Sequence, residues 1–209
     1  MDSRILLKNI VTKHLILALL VFQSALVFAQ DVTISALTGG VAASPLVAGA
    51  TNQAIFGIQF DKAGGGTNAL NGLIISLTED PSGRFTNVRL VRSDNNNSFD
   101  VADLANPVGT VTVGSSPDQV VITGTITPFG NSSGAETRRF FLVVDVDATV
   151  TGATAAVQAS LPIANVTLAN NAVLGSTLTS TNYSFVDTIT PTITFNPTAG
   201  AINVAIASS

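Results

Sequence analysis

Residues 138–147, reading Arg-Arg-Phe-Phe-Leu-Val-Val-Asp-Val-Asp, constrain this chain more than any other stretch. Successive side chains on an extended strand alternate between faces, so Phe140, Leu142, Val144 and Val146 fall on one side. Phe141, Val143, Asp145 and Asp147 fall on the other. A run this short, β-branched and apolar on both faces reads as a central β-strand rather than a helix. The remaining strands are expected to pack on it.

The flanking sequence fits that expectation. After Asp31 the chain becomes short alternating segments divided by Gly, Asn, Pro and Ser clusters. Strands are predicted over residues 32–37, 54–60, 70–77, 85–91, 108–113, 119–126 and 155–161, with a last pair near 174–179 and 183–187. Ala54, Phe56, Ile58 and Phe60 are read as inward-facing, as are Leu73, Ile75 and Leu77. So are Val88 and Leu90, and Val157, Ala159 and Leu161. Residues 79–83, Glu-Asp-Pro-Ser-Gly, form a turn with Pro near its start and Gly at its end. No segment sustains a helical period. Eight to nine strands at regular spacing predict an all-β, immunoglobulin-like Greek-key sandwich. A closed barrel is the alternative that pattern alone leaves open.

Both ends of the sequence differ from this middle. Arg4, Lys8 and Lys13 precede an apolar run over residues 15–27, and Val27 and Ala29 occupy the −3 and −1 positions of a signal-peptidase site. Residues 1–29 are therefore read as a cleaved signal peptide. A membrane anchor is the competing reading, but the run is shorter than the roughly 20 residues a span needs and Gln23 and Ser24 interrupt it. Residues 30–187 form the predicted sandwich. Residues 188–209, including Thr190-Pro191-Thr192-Ile193-Thr194-Phe195, read as a linker and the truncated start of a second module, since one strand is not a domain. The expected location is extracellular, secreted or on the cell surface, without stable membrane insertion after signal cleavage.

Composition removes several functional classes. The chain has no Cys, and its one His, His14, lies in the signal segment. A mature chain of this kind holds neither a Ser-His-Asp or Cys-His triad nor a His/Cys zinc site. Without residues 1–29 it carries six basic and twelve acidic side chains, a net charge of −6, which disfavours nucleic acid and anionic lipid. Lys62, the only lysine beyond the signal segment, precedes Gly64-Gly65-Gly66 and reads as part of a Gly-rich turn. With no Trp, a single Tyr (Tyr183) and Phe residues that follow the core pattern, aromatic platforms for sugars are scarce.

The polar loop over residues 93–103 is the candidate site. Asp94, Asn96, Ser98, Asp100 and Asp103 fall at positions three, five, seven, nine and twelve of a calcium-loop register. Arg92 then stands at position one, where an acid is expected, and Asn97 replaces the glycine. Starting instead at Asp94 places Phe99 at the glycine position and Ala105 at the twelfth. Weak calcium binding is one reading. An Asn-rich turn tolerating left-handed backbone is the other. Asp145 and Asp147 share a face, as paired carboxylates of a glycosidase would, but a solvated strand end shows the same spacing. Arg138 and Arg139 offer an anionic-glycan contact or pair with Glu136 and nearby acids.

Four ordered motifs carry a resemblance: Asn52-Gln53-Ala54-Ile55-Phe56-Gly57, residues 85–90 (Phe-Thr-Asn-Val-Arg-Leu), residues 95–100 (Asn-Asn-Asn-Ser-Phe-Asp) and residues 139–146. Together they resemble a recurring immunoglobulin-like module of large secreted bacterial surface proteins, often arrayed in tandem and exported by a type IX route. Residues 191–209 resemble the first strand of a different bacterial immunoglobulin-like domain. The resemblance implies a non-catalytic structural or adhesive module of a larger surface protein, with neighbouring modules and cell-surface proteins or glycans as partners. The alternative is a ligand-binding module, for a glycan or a calcium-dependent partner, accessory to a secreted enzyme. Asp187-Thr188-Ile189 is similar to an O-glycosylation motif of some secreted bacterial proteins.

Overall fold

The computed structural model describes residues 31–64, 68–81, 83–93, 96–113, 119–129, 135–169 and 172–187. The predicted signal segment and the residues from 188 on lie outside them. In chain order the strands are β1 (Val32–Leu37), β2 (Leu46–Val47), β3 (Gln53–Lys62), β4 (Asn68–Leu77), β5 (Phe85–Ser93), β6 (Thr110–Val113) and β7 (Gln119–Phe129). They continue with β8 (Glu136–Val146), β9 (Val157–Leu161), β10 (Val166–Leu168), β11 (Val173–Leu174), β12 (Leu178–Tyr183) and β13 (Phe185–Val186). Two 3₁₀ turns, Val101–Ala105 and Ile163–Asn165, complete the described elements.

Two sheets face each other. One has the order β11-β1-β3-β8-β5, the other β12-β9-β4-β7-β6 with β10 also paired to β4, and β13 and β2 make a small parallel pair. The stretches β1-β3-β8-β5 and β12-β9-β4 reproduce the two-sheet strand order of an immunoglobulin sandwich. The β6–β7 hairpin extends the second sheet beyond β4. This is a sandwich, not the barrel that pattern left open. Among the described residues nine strands have four residues or more, and the other four are too short for periodicity to reveal.

β8 lies between β3 and β5, antiparallel to both. Phe140, Leu142, Val144 and Val146 enter the main core with Phe56, Ile58, Phe60, Leu73, Ile75 and Leu90. Phe140 meets Phe60 edge-on, with ring centroids 5.5 Å apart at 81°, a favoured aromatic geometry.

Three expectations are corrected. In place of a last strand pair near 174–179 and 183–187 there is one six-residue strand, β12, flanked by the two-residue β11 and β13. A register shift between Ala54 and Phe56 breaks the alternation of β3. Such a bulge sets two residues against one, so Ile55 joins Phe56 in the main core and Ala54 turns to the outer face. Lys62 is not in a turn. It is the last residue of β3, only 2% exposed, and its Nζ stands 4.0 Å from Glu136 Oε2.

The strands also fix where the chain enters and leaves. β3 runs from Gln53, opposite Val144, to Lys62, opposite Glu136. Val32 starts β1 beside Lys62. At the far pole Phe85 pairs with Val146, Ala50 O accepts from Val146 N at 2.8 Å, and the Phe185 ring lies 6.2 Å from that of Phe85, tilted by 49°. Val32 and Val186 thus sit at opposite poles, separated by the length of a ten-residue strand, about 30 Å at the usual rise.

Candidate functional site

The polar loop after β5 lies over the outer face of the first sheet. That face carries Ala54, Val91, Phe141 and Val143, a second buried cluster with Leu37, Val41, Phe99 and Leu104 packed on it. Phe99 anchors the loop, its ring 5.8 Å from that of Phe141. The turn after β1 clasps the loop from the other side. Gly39 bridges Ser98 in parallel register, and Phe99 N donates to Gly39 O at 3.1 Å. Gly40 has φ +68°, and a Cβ there would run into the backbone of Phe99, so this contact requires glycine.

The polar side chains of the loop bond locally. Asn96 Oδ1 accepts from Ser98 N at 3.0 Å and from Ser93 Oγ at 3.2 Å. Asp100 caps the 3₁₀ turn, its Oδ1 accepting from Ala102 N at 2.7 Å. Buried Asp103 reaches back, its Oδ2 accepting from Asp100 N at 3.1 Å. The two acids form a reciprocal capping box. Asp94 lies outside the described residues. Of the other four positions read as calcium ligands, Asn96, Asp100 and Asp103 each spend one oxygen on the loop's own N–H groups. Among the described residues no three acidic, His or Cys side chains group as metal ligands.

A second polar knot, near the exit pole, was not foreseen. Asp145 Oδ1 accepts from Asn52 N at 2.7 Å and from Arg89 Nη2 at 2.8 Å. Asp145 Oδ2 takes Asn87 Nδ2 at 3.1 Å, and Arg89 Nη2 also reaches Asn52 Oδ1 at 2.9 Å. Asn52 holds φ +57°, which Asn tolerates better than most residues. The knot ties the turn before β3 to β5 and β8. Arg89, Asn87 and Asn52 lie 56, 58 and 93 positions from Asp145, so no local pattern announces it.

Asp147 turns to a different task. Its Oδ1 accepts from Thr149 Oγ1 and Thr149 N, both at 2.7 Å, and these bonds, the hydroxyl's first, hold its carboxyl below the usual aspartate range. The two carboxylates read as a possible catalytic pair therefore each secure a turn. Arg138 pairs with Glu136, and Arg139 Nε donates to Gln59 Oε1 at 3.2 Å. Of the O-glycosylation triplet, Thr188 and Ile189 lie outside the described residues.

One concavity adjoins the seam between the sheets. It measures about 130 Å³, with Ala36 and Leu37 of β1 on one wall, Thr179, Ser180 and Thr181 of β12 on the other, and Ile55 and Phe56 among its lining. Among the described residues no charged side chain lines it.

No protein-family model matches the chain, and no curated protein matches it. Among solved structures it is similar to a DUF4466 family protein from Parabacteroides merdae, at 14% identity and TM-score 0.37 over 75% of this chain. That match spans 45% of the Parabacteroides protein. It is also similar to AvmM, described as catalysing macrocyclization in alchivemycin A biosynthesis, at 8% identity and TM-score 0.38, covering 76% of this chain and 90% of that one. A third is CaCohA2 from Clostridium acetobutylicum, at 14% identity and TM-score 0.33, covering 75% and 92%. Likeness at this level does not bear on function.

Proposed function

We propose that residues 30–187 form a non-catalytic, secreted module of a larger bacterial surface protein, serving as a rigid spacer that holds adjoining segments apart. The single observation that carries this reading is the placement of Val32 and Val186 at opposite poles, about 30 Å apart by strand length. A module threaded pole to pole extends a chain, whereas one whose ends meet at a single pole does not. Closure of both faces of the first sheet supports the same role, because a spacer needs a stiff, fully packed body. The polar constellations support it too, since Asp145, Asp147, Asp100 and Asp103 bind the protein's own amides. In this reading residues 188–209 lead into the next module.

Pulling tests it directly. With attachments at residue 31 and at the C-terminus, force spectroscopy is expected to show one cooperative release of about 500 Å, the contour of roughly 150 extended residues. Gradual extension at forces that merely stretch an unfolded chain, with no such event, defeats the spacer.

A further inference from the structure

We infer, on the basis of the spacer reading, that under tension this chain yields first at its exit end, where β12 slides along β9, and that Ser180 sets the load at which it does so. β1 starts at Val32, beside Lys62 at the entry pole, and runs toward the exit pole antiparallel to β3. Tension on the residues before it draws β1 backwards along its own axis. β12 runs from Leu178, opposite Leu161, to Tyr183, opposite Val157. The Val157 end of β9 lies by Leu77, which pairs with Ala159 and ends β4 just before the turn into Phe85. Tyr183 therefore points to the exit pole, and tension on the residues after it draws β12 forwards along its own axis.

Both pulls act across backbone ladders. Antiparallel hydrogen bonds stand perpendicular to the strands, so a pull along a strand loads every bond of its ladder at once. Each bond is lost within about 1 Å of sliding, whereas apolar contacts yield over longer distances, so the bonds set the peak load. The two ends carry the same tension, and the weaker ladder gives first. β1 pairs with β3 at six positions without a shift, and β11 adds two on its other edge. β12 pairs with β9 at four, interrupted by a shift between Thr179 and Asn182. Among the described residues β12 ends its sheet, so its ladder lies on one side only. β13 beyond it holds β2 at two positions and passes the load on to β12.

Side chains bridge the interruption. Ser180 Oγ accepts from Ala159 N at 2.9 Å and donates to Thr181 O at 2.7 Å. Gln158 Nε2 donates to Ser180 O at 2.9 Å. These bonds stand where the shift breaks the regular ladder, so the middle of β12 grips β9 through Ser180. Ala159 is only 1% exposed, and its N–H has no water to turn to when the hydroxyl is removed. One serine thus holds the middle of the weaker ladder.

Single-molecule pulling tests this on the full chain, held at residue 31 and at the C-terminus under constant load. Ser180→Ala is expected to speed rupture about tenfold, the effect of one buried N–H left unpaired. Val32→Ala truncates a fully buried residue of β1. It should lower the melting temperature yet leave the rupture rate within about twofold, because β1 is still in place when the exit end gives. Thr179→Cys combined with Ser160→Cys, at register partners, should on oxidation slow rupture. It should also shorten the release by about 65 Å, the contour of the roughly 19 residues the disulfide closes off. Rupture indifferent to Ser180→Ala, or accelerated as much by Val32→Ala, overturns the inference and leaves the spacer standing. So does a disulfide that shortens the release without slowing rupture. A chain that extends with no cooperative event defeats the spacer and the inference together.

Discussion

The two faces of β8 are both buried, but by different means. On the inner face Phe140, Leu142, Val144 and Val146 meet a whole sheet, and the contact is regular, repeated and built from strands. On the outer face Phe141 and Val143 meet a loop held by one aromatic ring, a glycine turn and a 3₁₀ capping box. A strand apolar on both faces need not lie in the middle of a layered sheet structure. A loop with the right anchors closes the second face. The inner contact defines the fold, and the outer one decides how tightly its surface is sealed.

The largest effect should come from the inner face. Leu142 is fully buried, and Leu142→Ala is expected to cost about 3 kcal/mol, within the range for buried aliphatic truncation. For a domain of this size that lowers the melting temperature by about 6–12 °C, read by circular dichroism across one cooperative transition. An unmoved transition would remove β8 from the centre of the core.

The outer face should respond less, and locally. Phe99 is only partly buried, so Phe99→Ala is expected to cost about 1–2 kcal/mol, below the cost of a fully buried ring. Hydrogen exchange should accelerate in the 96–106 loop, while the amides that pair β8 with β3 keep their protection. If Phe99→Ala destabilised the domain as much as Leu142→Ala, the distinction between the faces would collapse, and the loop would count as core.

The same contrast explains what the sequence made legible. The inner face follows a period of two, and β1, β8 and β9 lie where that period places them. The turn before β5 was equally readable, because Pro81 sets it and its carbonyl accepts from Arg84 N and Phe85 N. The bulge in β3 was hidden because Ala54, Ile55 and Phe56 are all apolar, so a slipped register leaves no polar residue out of place. Lys62 was misread because the glycines after it resemble a turn that begins earlier. β2, β11 and β13 have two residues each, fewer than any periodicity can register. The Asp145 knot joins residues that come together only once β3, β5 and β8 have paired.

The loop's acids give the smallest effect and the most direct probe of what closes the outer face. Asp100 and Asp103 cap each other's turn, and one oxygen of each already accepts a backbone N–H. A calcium ion binding at Asp94, Asn96, Ser98, Asp100 and Asp103 would compete with those bonds, and Arg92 stands where the register wants an acid. Even at a dissociation constant of about 1 mM, typical of weak extracellular sites, millimolar calcium adds only about 0.4 kcal/mol by mass action. Melts with excess chelator and with millimolar calcium are therefore expected to differ by no more than about 2 °C. Asp103→Ala removes a cap and should cost about 1 kcal/mol in both conditions. A calcium-dependent rise of 5 °C or more, abolished by both Asp100→Ala and Asp103→Ala, would show that an ion rather than the capping box seals the outer face, and the face would then answer to its medium as the inner one does not.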